Sequence, residues 1–407
     1  VRLRMLSVGK SLSLRSLQLD GNKDLQTLLA YQAYLFNKKN GGSDNDADIY
    51  SGLYNITRQY AIGYKTFNGH EGEIKSIAFH PDGKEFFTSG SDGNVLKWTL
   101  SGDNRNFSEI YSGEKVIEIL AVNPDASWLA AGETNSSVHM IPLSGEGVKY
   151  KLSAHTDRIN SLNFSSDGNF LYSASLDGRV LKWDLNEKTC TNVTPAGTGI
   201  IKVDVSSGGE YFAGINSENK IIVWNPENNH NYFMIETVRK KINVIRFLPD
   251  KSILAIGDPE GFVELWDVVL RERISFVKAH TSKVNDIQFS RVKEQMATAG
   301  ADRSVRIFNI RNVSDLSEPP VIITDNEGSV ITIQFSPDGQ SIISGTDKGK
   351  NNLVSRLTHS DFMVRDICSL VSRNMTQDEW NLYVGRDIPF EKTCTDSEIK
   401  IRIREVK

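Results

Sequence analysis

A seven-bladed β-propeller with helices at both ends is the all-β fold this sequence predicts. It rests on three observations: a unit that returns seven times, a fixed order of short strands and turns inside it, and Leu-rich segments outside it. The apolar residue that ends the first strand of each unit recurs at Phe79, Val122, Phe164, Val205, Phe247, Phe289 and Phe335, at spacings of 43, 42, 41, 42, 42 and 46 residues. Four strands in a period of about 40 to 45 residues is the arithmetic of propeller blades.

The first unit shows the pattern. An apolar strand from Ile74 to Phe79 meets the turn His80-Pro81-Asp82-Gly83, and a second strand runs through Phe86, Phe87 and Thr88. Ser91-Asp92-Gly93 makes a tight turn into a third strand, Val95 to Trp98, and a less regular fourth strand, Phe107 to Tyr111, leads to the next unit. Pro and Gly at fixed offsets between β-rich runs are hairpin punctuation. The last unit offers only three strands, around Ile333, Ile343 and Val354. Because an open blade leaves a strand edge unpaired, Tyr64-Lys65-Thr66-Phe67 is expected to complete it as the outermost strand.

Asn68-Gly69-His70 with Asp92-Gly93 and Trp98, and Ala154-His155 with Asp177-Gly178 and Trp183-Asp184, resemble the WD-repeat signature. That resemblance implies four-stranded blades around a central channel, and a buried hydrogen-bond tetrad in each complete repeat. The tetrad carries over to His70, Thr88, Asp92 and Trp98, and to His155, Ser173, Asp177 and Trp183. A third set, His280, Thr298 and Asp302, ends in Phe308 and lacks the indole donor. The blades of Trp224 and Trp266 have no matching His and place Glu218 and Glu260 at the Asp position, while the second blade has Asn135 and Ile141; these should rely more on packing.

The resemblance also implies a partner-binding top face, formed by residues six and four positions before the strand-ending residue and by the residue before the turn Asp. These include Glu73 and Lys75 on blade one, Glu118 on blade two, Arg158 and Asn160 on blade three, Lys241 and Asn243 on blade five, and Lys283 and Asn285 on blade six. Each alone reads as a solvated rim residue. Together they predict a polar, electrically divided face, suited to a partner presenting acidic groups toward blades three, five and six.

No catalytic, cofactor or metal site is expected. His155, Ser173 and Asp177 are the residue types of a hydrolase triad, but the same types recur at the same offsets as His70, Thr88 and Asp92, which marks them as architecture. The stretch Gly345-Thr346-Asp347-Lys348-Gly349-Lys350-Asn351 has one residue too few for a phosphate loop and Asn where Ser or Thr would hold magnesium, so it reads as a turn.

The ends read as helices, giving a division into a helical segment 1–58, the propeller 59–360 and a C-terminal extension 361–407. Val1 to Leu19 and Asp24 to Lys39 form a hairpin broken and re-capped by Asp20-Gly21-Asn22-Lys23; Leu25, Leu29, Ala33 and Phe36 share one face, widened by Leu28, Tyr31 and Leu35. Ile49 to Gln59 makes a third helix. These helices are expected to pack on the propeller. Lys10-Ser11-Leu12-Ser13-Leu14 with Asp24 to Ala33 resembles the helical segment joining the nucleotide-binding module to the propeller in bacterial signalling NTPases of the STAND class. At the other end, Asp361 to Ser372 reads as a helix, Thr376 to Glu379 as a capping box opening another, and Glu398 to Val406 as a strand. The run from Ser372 to Cys394 resembles the extension on bacterial WD-repeat signalling proteins.

Composition bounds the rest. With 47 Lys+Arg against 51 Asp+Glu the net charge is −4, which favours neither nucleic acid nor another polyanion. No apolar run is long enough to span a bilayer. Cys190, Cys368 and Cys394 are odd in number and widely spaced, so no disulfide is expected and a reducing cytoplasm is the economical reading. The function this supports is a non-catalytic scaffold for a protein or peptide partner, specifically the sensor or partner-binding part of a larger bacterial signalling ATPase or protease. The first residue being Val fits a fragment, with the nucleotide-binding or protease module upstream. The alternatives are a free-standing structural adaptor and an enzyme with its site in the channel.

Overall fold

The computed structural model describes residues 1–100, 107–144, 147–238, 241–290, 292–348 and 352–399. Seven four-stranded antiparallel sheets form the blades. Their inner strands are Ile74–Phe79, Ile117–Val122, Ile159–Phe164, Ile200–Val205, Val244–Phe247, Val284–Ser290 and Val330–Phe335, and they neighbour one another in a closed ring, the seventh against the first. The seventh blade is Val330–Phe335, Ser341–Thr346 and Leu353–Leu357 with Lys65–Phe67 as its outer strand, the closure expected from the sequence.

Between blades the core is built from aromatic and branched side chains on facing sheets. Phe67 is 1% exposed, with its ring 5.0 Å from that of Phe86 and 5.5 Å from that of Trp98. Further round, the rings of Tyr172 on blade three and Phe212 on blade four lie 4.7 Å apart. Gly93 shows what the hairpin turns require: its φ is +81°, and a Cβ there would stand 2.5 Å from the Gly113 carbonyl oxygen, so a side chain would suffer both strain and collision.

Six of the seven inner strands open with the same irregularity. In blade one Ile74 pairs Gly90 and Ser76 pairs Ser89, which leaves Lys75 as the extra residue of a β-bulge. The same shift leaves Glu118, Asn160, Ile201, Asn285 and Ile331 as the extra residues of their strands.

Contacts divide the chain into two compact units, 66–318 with 323–354, and 1–65 with 319–322 and 355–407. Whereas the sequence reading separates 1–58 from 361–407, the structure gathers both ends into the second unit. Here α1 (Arg2–Gln18), α2 (Lys23–Lys39) and α3 (Ala47–Gln59) pack on one another, with Asn22 capping α2 as expected. The apolar face of α2 meets the C-terminal segment: the rings of Phe36 and Trp380 are 6.2 Å apart, and Gln32, fully buried, bonds Glu391 and Thr393. Tyr34 donates to Asp361 at 2.8 Å, one reason its phenol, already pushed up by burial, is held well above the ordinary range.

Three expectations for the C-terminal end need correction. The helix expected over 361–372 is broken into α4 (Ser360–Met363) and a 3₁₀ turn, Ile367–Leu370. Met363, Ile367 and Val371 are buried all the same, so the apolar spacing reported burial and not continuity. The capping box of Thr376 and Glu379 does open a helix, α5 (Gln377–Tyr383). Of the strand expected over Glu398 to Val406, residues 398 and 399 are helical and the remainder lies outside the described residues.

The third correction is chemical. Cys368 and Cys394 are joined in a disulfide, with Cα atoms 5.6 Å apart across a separation of 26 residues. No sequence spacing announces such a pair; the fold-back of the segment after α5 brings it together, with Asn374 and Cys394 exchanging backbone and side-chain bonds beside it. Replacing both cysteines by Ser is expected to cost about 2 kcal/mol, through loss of a closed loop in the unfolded chain. Calorimetry should place that loss in the transition of the smaller unit and leave the propeller's untouched.

Candidate binding channel

Around the ring axis the inner strands leave a cavity of about 600 Å³ within the propeller. A bulge re-aims the side chain of its extra residue, and this places Lys75, Glu118, Asn160 and Asn285 on the cavity wall, where Glu73, Arg158, Asn243 and Lys283 join them. Lys241 is exposed and does not line it.

The asparagines are already occupied. The side-chain amide of Asn160 donates to the Ile201 carbonyl of blade four at 3.1 Å, that of Asn243 to Val284 of blade six at 2.7 Å, and that of Asn285 to Val330 of blade seven at 2.8 Å. Each ties its blade to the next. The acidic residues of blades one and two are likewise engaged, Glu73 with Lys75 at 2.9 Å and Glu118 with Arg158 at 3.5 Å.

Deeper in the wall lie four charged residues outside the sequence expectation: Lys202, Asp204, Arg246 and Asp286. Arg246 stands between Asp204 at 3.1 Å and Asp286 at 3.5 Å. Asp204 also accepts from the Phe247 amide at 2.7 Å, and Asp286 from the Ile333 amide at 3.1 Å, so each carboxylate bridges blades. Burial pushes Asp204 upward from the usual carboxylate range, against the pull of Arg246. Lys202 donates to the Asn243 carbonyl at 3.2 Å. A charged residue in an otherwise apolar strand, one or three places before the strand-ending residue, was the available signal for all four.

The tetrads sit elsewhere, each within one blade around the turn between its second and third strands. His70 bonds Asp92 through Nδ1 at 2.9 Å and Thr88 through Nε2 at 2.8 Å, while the indole of Trp98 donates to Thr88 at 2.7 Å. His155, Asp177, Ser173 and Trp183 repeat this, each bond at 2.8 Å. His280 reaches Asp302 at 2.9 Å and Thr298 at 2.8 Å, and Ser304 stands 3.0 Å away as an added partner. The distances in blade three match those of a hydrolase triad, yet Ser173 is fully buried and its oxygen accepts from an indole. A nucleophile that no substrate can reach performs no acyl transfer.

Blades without a tetrad satisfy their polar groups differently. The Trp224 indole donates to the Val193 carbonyl at 3.1 Å and that of Trp266 to Glu264 at 2.9 Å. Glu218 and Glu260 are exposed, and the turn is held instead by Asn216 and Asp258, which accept backbone amides. In blade two Asn135 is exposed, and a cluster of Glu133, His139 and Tyr111 takes over, with His139 3.0 Å from Glu133 and the Tyr111 hydroxyl 3.2 Å from it.

Among the described residues, no group of three or more His, Cys, Asp or Glu side chains is placed to hold a metal ion, and no helix is long and apolar enough to cross a membrane.

The family pattern described as "WD domain, G-beta repeat" matches residues 64–99, 147–184, 271–309 and 318–350. The chain is similar to Periodic tryptophan protein 2 of Saccharomyces cerevisiae, 23% identical over 309 residues, covering 75% of this chain and 32% of that protein. It is 26% identical over 330 residues to Protein HIR1 of Eremothecium gossypii, covering 79% of this chain and 32% of that one. With Autophagy-related protein 16 of Arabidopsis thaliana it shares 22% over 247 residues, 60% of this chain and 40% of that one. The chain thus spans 32–40% of the length of these eukaryotic relatives. Repeat pattern, strand order and tetrad geometry agree: the chain is a seven-bladed β-propeller built from WD40 repeats.

Proposed function

We propose that this protein is a non-catalytic scaffold that binds a protein partner across the mouth of the propeller channel. The observation that carries this reading is the wall of that channel, where bulged and inward residues of all seven blades gather charged and amide side chains around one opening. In the tetrad that combines Ser, His and Asp, the Ser173 hydroxyl is fully buried. The residues proposed to face the partner are Glu73, Lys75, Glu118, Arg158, Lys241 and Lys283, with Asn160, Asn243 and Asn285 holding the blades that present them. The names of relatives point to different processes, autophagy in one and pre-mRNA processing in another. A shared propeller among proteins named for different processes fits a binding platform.

A finer placement, as the partner-binding part of a larger bacterial signalling protein, rests on the resemblance of the helical ends; the eukaryotic relatives support the platform and not that placement. A cytoplasmic site had as its ground three unpaired cysteines, and the Cys368–Cys394 bond removes that ground.

Reversing Lys241 and Lys283 to Glu should weaken partner capture by about tenfold and flatten its salt dependence, with the melting temperature unchanged. A pull-down from the native host at several ionic strengths measures this. Recovery of the same partner equally well by the double variant would remove the channel mouth as the binding surface and make the helical unit the better candidate.

A further inference from the structure

The charges of the channel wall do not cancel, and the imbalance has a location. Lys75 is matched by Glu73 at 2.9 Å, and Arg158 by Glu118 at 3.5 Å. Arg246 has two carboxylates, Asp204 and Asp286, which are further quenched by backbone amides of the next blades. Lys202 on blade four and Lys283 on blade six have no carboxylate within ion-pair distance among the described residues. Lys202 has a single bond, to a backbone carbonyl, and Lys283 is exposed at the opening. Nε of Arg158 is buried with no hydrogen-bond partner.

Counting the lining residues, five cations (Lys75, Arg158, Lys202, Arg246, Lys283) face four carboxylates (Glu73, Glu118, Asp204, Asp286), which leaves one positive charge. Burial holds the Lys202 ammonium below the ordinary lysine range; Asp286 opposes that, and the neighbouring Arg246 and Lys283 reinforce it. An ammonium so placed gains from an incoming anion more than a solvated one, because the surrounding wall screens the interaction less.

We propose that the channel seats one carboxylate of the bound partner, drawn in between Lys202 and Lys283, so that recognition includes an inserted acidic group as well as contact across the rim. This deepens the partner-binding reading and rests on it. One carboxylate brings the wall to neutrality, whereas a phosphate monoester, carrying about −1.5 to −2, would overshoot it. The carboxylate can be an Asp or Glu side chain or a chain terminus, and the test separates the two.

Three capped pentaglycine-based probes serve: one with a central Glu and an amidated end, one with Gln in its place, and one with Gly at the centre and a free C-terminal carboxylate. Titration calorimetry at fixed ionic strength should give the Glu probe or the free-end probe an affinity at least about tenfold above the Gln probe, and which of the two wins names the source. Lys202→Met should abolish that preference while leaving the melting temperature unchanged or raised, since it removes an uncompensated recessed charge. Lys283→Met, at an exposed position, gives the same loss of preference where the first variant folds poorly, and Lys151→Met, on an exposed outer strand, leaves it intact.

Equal binding of all three probes, absence of binding by any of them, or a preference that survives both lysine variants would overturn the proposal. So would tighter binding of inorganic phosphate than of either carboxylate. These results leave the platform reading standing, provided capture still depends on Lys241 and Lys283; loss of that dependence is the separate failure of the platform itself.

Discussion

Phe67→Ala should destabilise the propeller by about 3–5 kcal/mol, the range for removing a fully buried aromatic side chain. Phe67 lies on the strand that closes the ring, and its ring is edge-on to both Phe86 and Trp98, at 5.0 and 5.5 Å. The cluster that receives it also holds Ile343 and Leu353 of blade seven. A single side chain therefore fastens the closing strand to the first and last blades together. Its loss leaves a cavity and also weakens the attachment of the outer strand, so that unfolding should lose cooperativity as well as midpoint. Urea denaturation followed by tryptophan fluorescence reads both. An unchanged midpoint would show that the ring is held shut by other contacts and that the strand is dispensable.

How much of this was visible beforehand depends on the range of the interaction. The blades were legible because each is a local pattern: a strand, a Gly turn and a strand again, repeated until chance is excluded. The closing strand was legible too, since a count of three strands in the last unit demanded a fourth. Of the residues reached by the offsets of the resemblance, Lys75, Glu118, Asn160 and Asn285 line the channel as the extra residues of bulges, each turned toward the axis, whereas Lys241 does not line it. What could not be read was occupancy. Nothing in the sequence shows that the amides of Asn160, Asn243 and Asn285 are spent on carbonyls of the next blade, because those acceptors lie about 40 or more residues away.

The misses at the C-terminus have a related cause. Apolar residues at 363, 367 and 371 recur every four residues and satisfy a helical template, but the same spacing is met by a short helix, a turn and an extended residue packed on one body. The disulfide joins residues whose proximity depends on the path of α5 and the segment after it. Lys202, Asp204, Arg246 and Asp286 escaped for a different reason, since a template fixed at six and four positions before the strand end passes over the positions one and three before it.

Acid should unfold the propeller through its tetrads, and Asp177→Ala should reproduce part of that effect at neutral pH. Burial works against the Asp177 carboxylate, but bonds from Arg179, the Thr156 amide and His155 outweigh it and hold its pKa at about 2. The folded value lies below the unfolded one, so the stability it contributes is complete above about pH 4 and is lost as the pH falls toward 2, amounting to about 2 kcal/mol. Asp92 and Asp302 are lowered in the same sense. The histidines act at a higher pH: burial lowers His155 and His280, against the pull of Asp177 and Asp302, so each prefers to remain neutral in the fold. Their contribution is complete above about pH 6.5 and declines below it. Stability should therefore fall in two stages on acidification, a shallow one below neutrality and a steeper one below pH 4. Asp177→Ala removes the acceptor for His155 and two backbone amides at once, and should cost about 2–3 kcal/mol at pH 7. The second stage should shrink in this variant, because one of the groups that produces it is gone. Melting temperatures of wild type and variant across pH 2 to 8 test both claims. Parallel curves that never converge in acid would mean that Asp177 acts through packing and not through its charge.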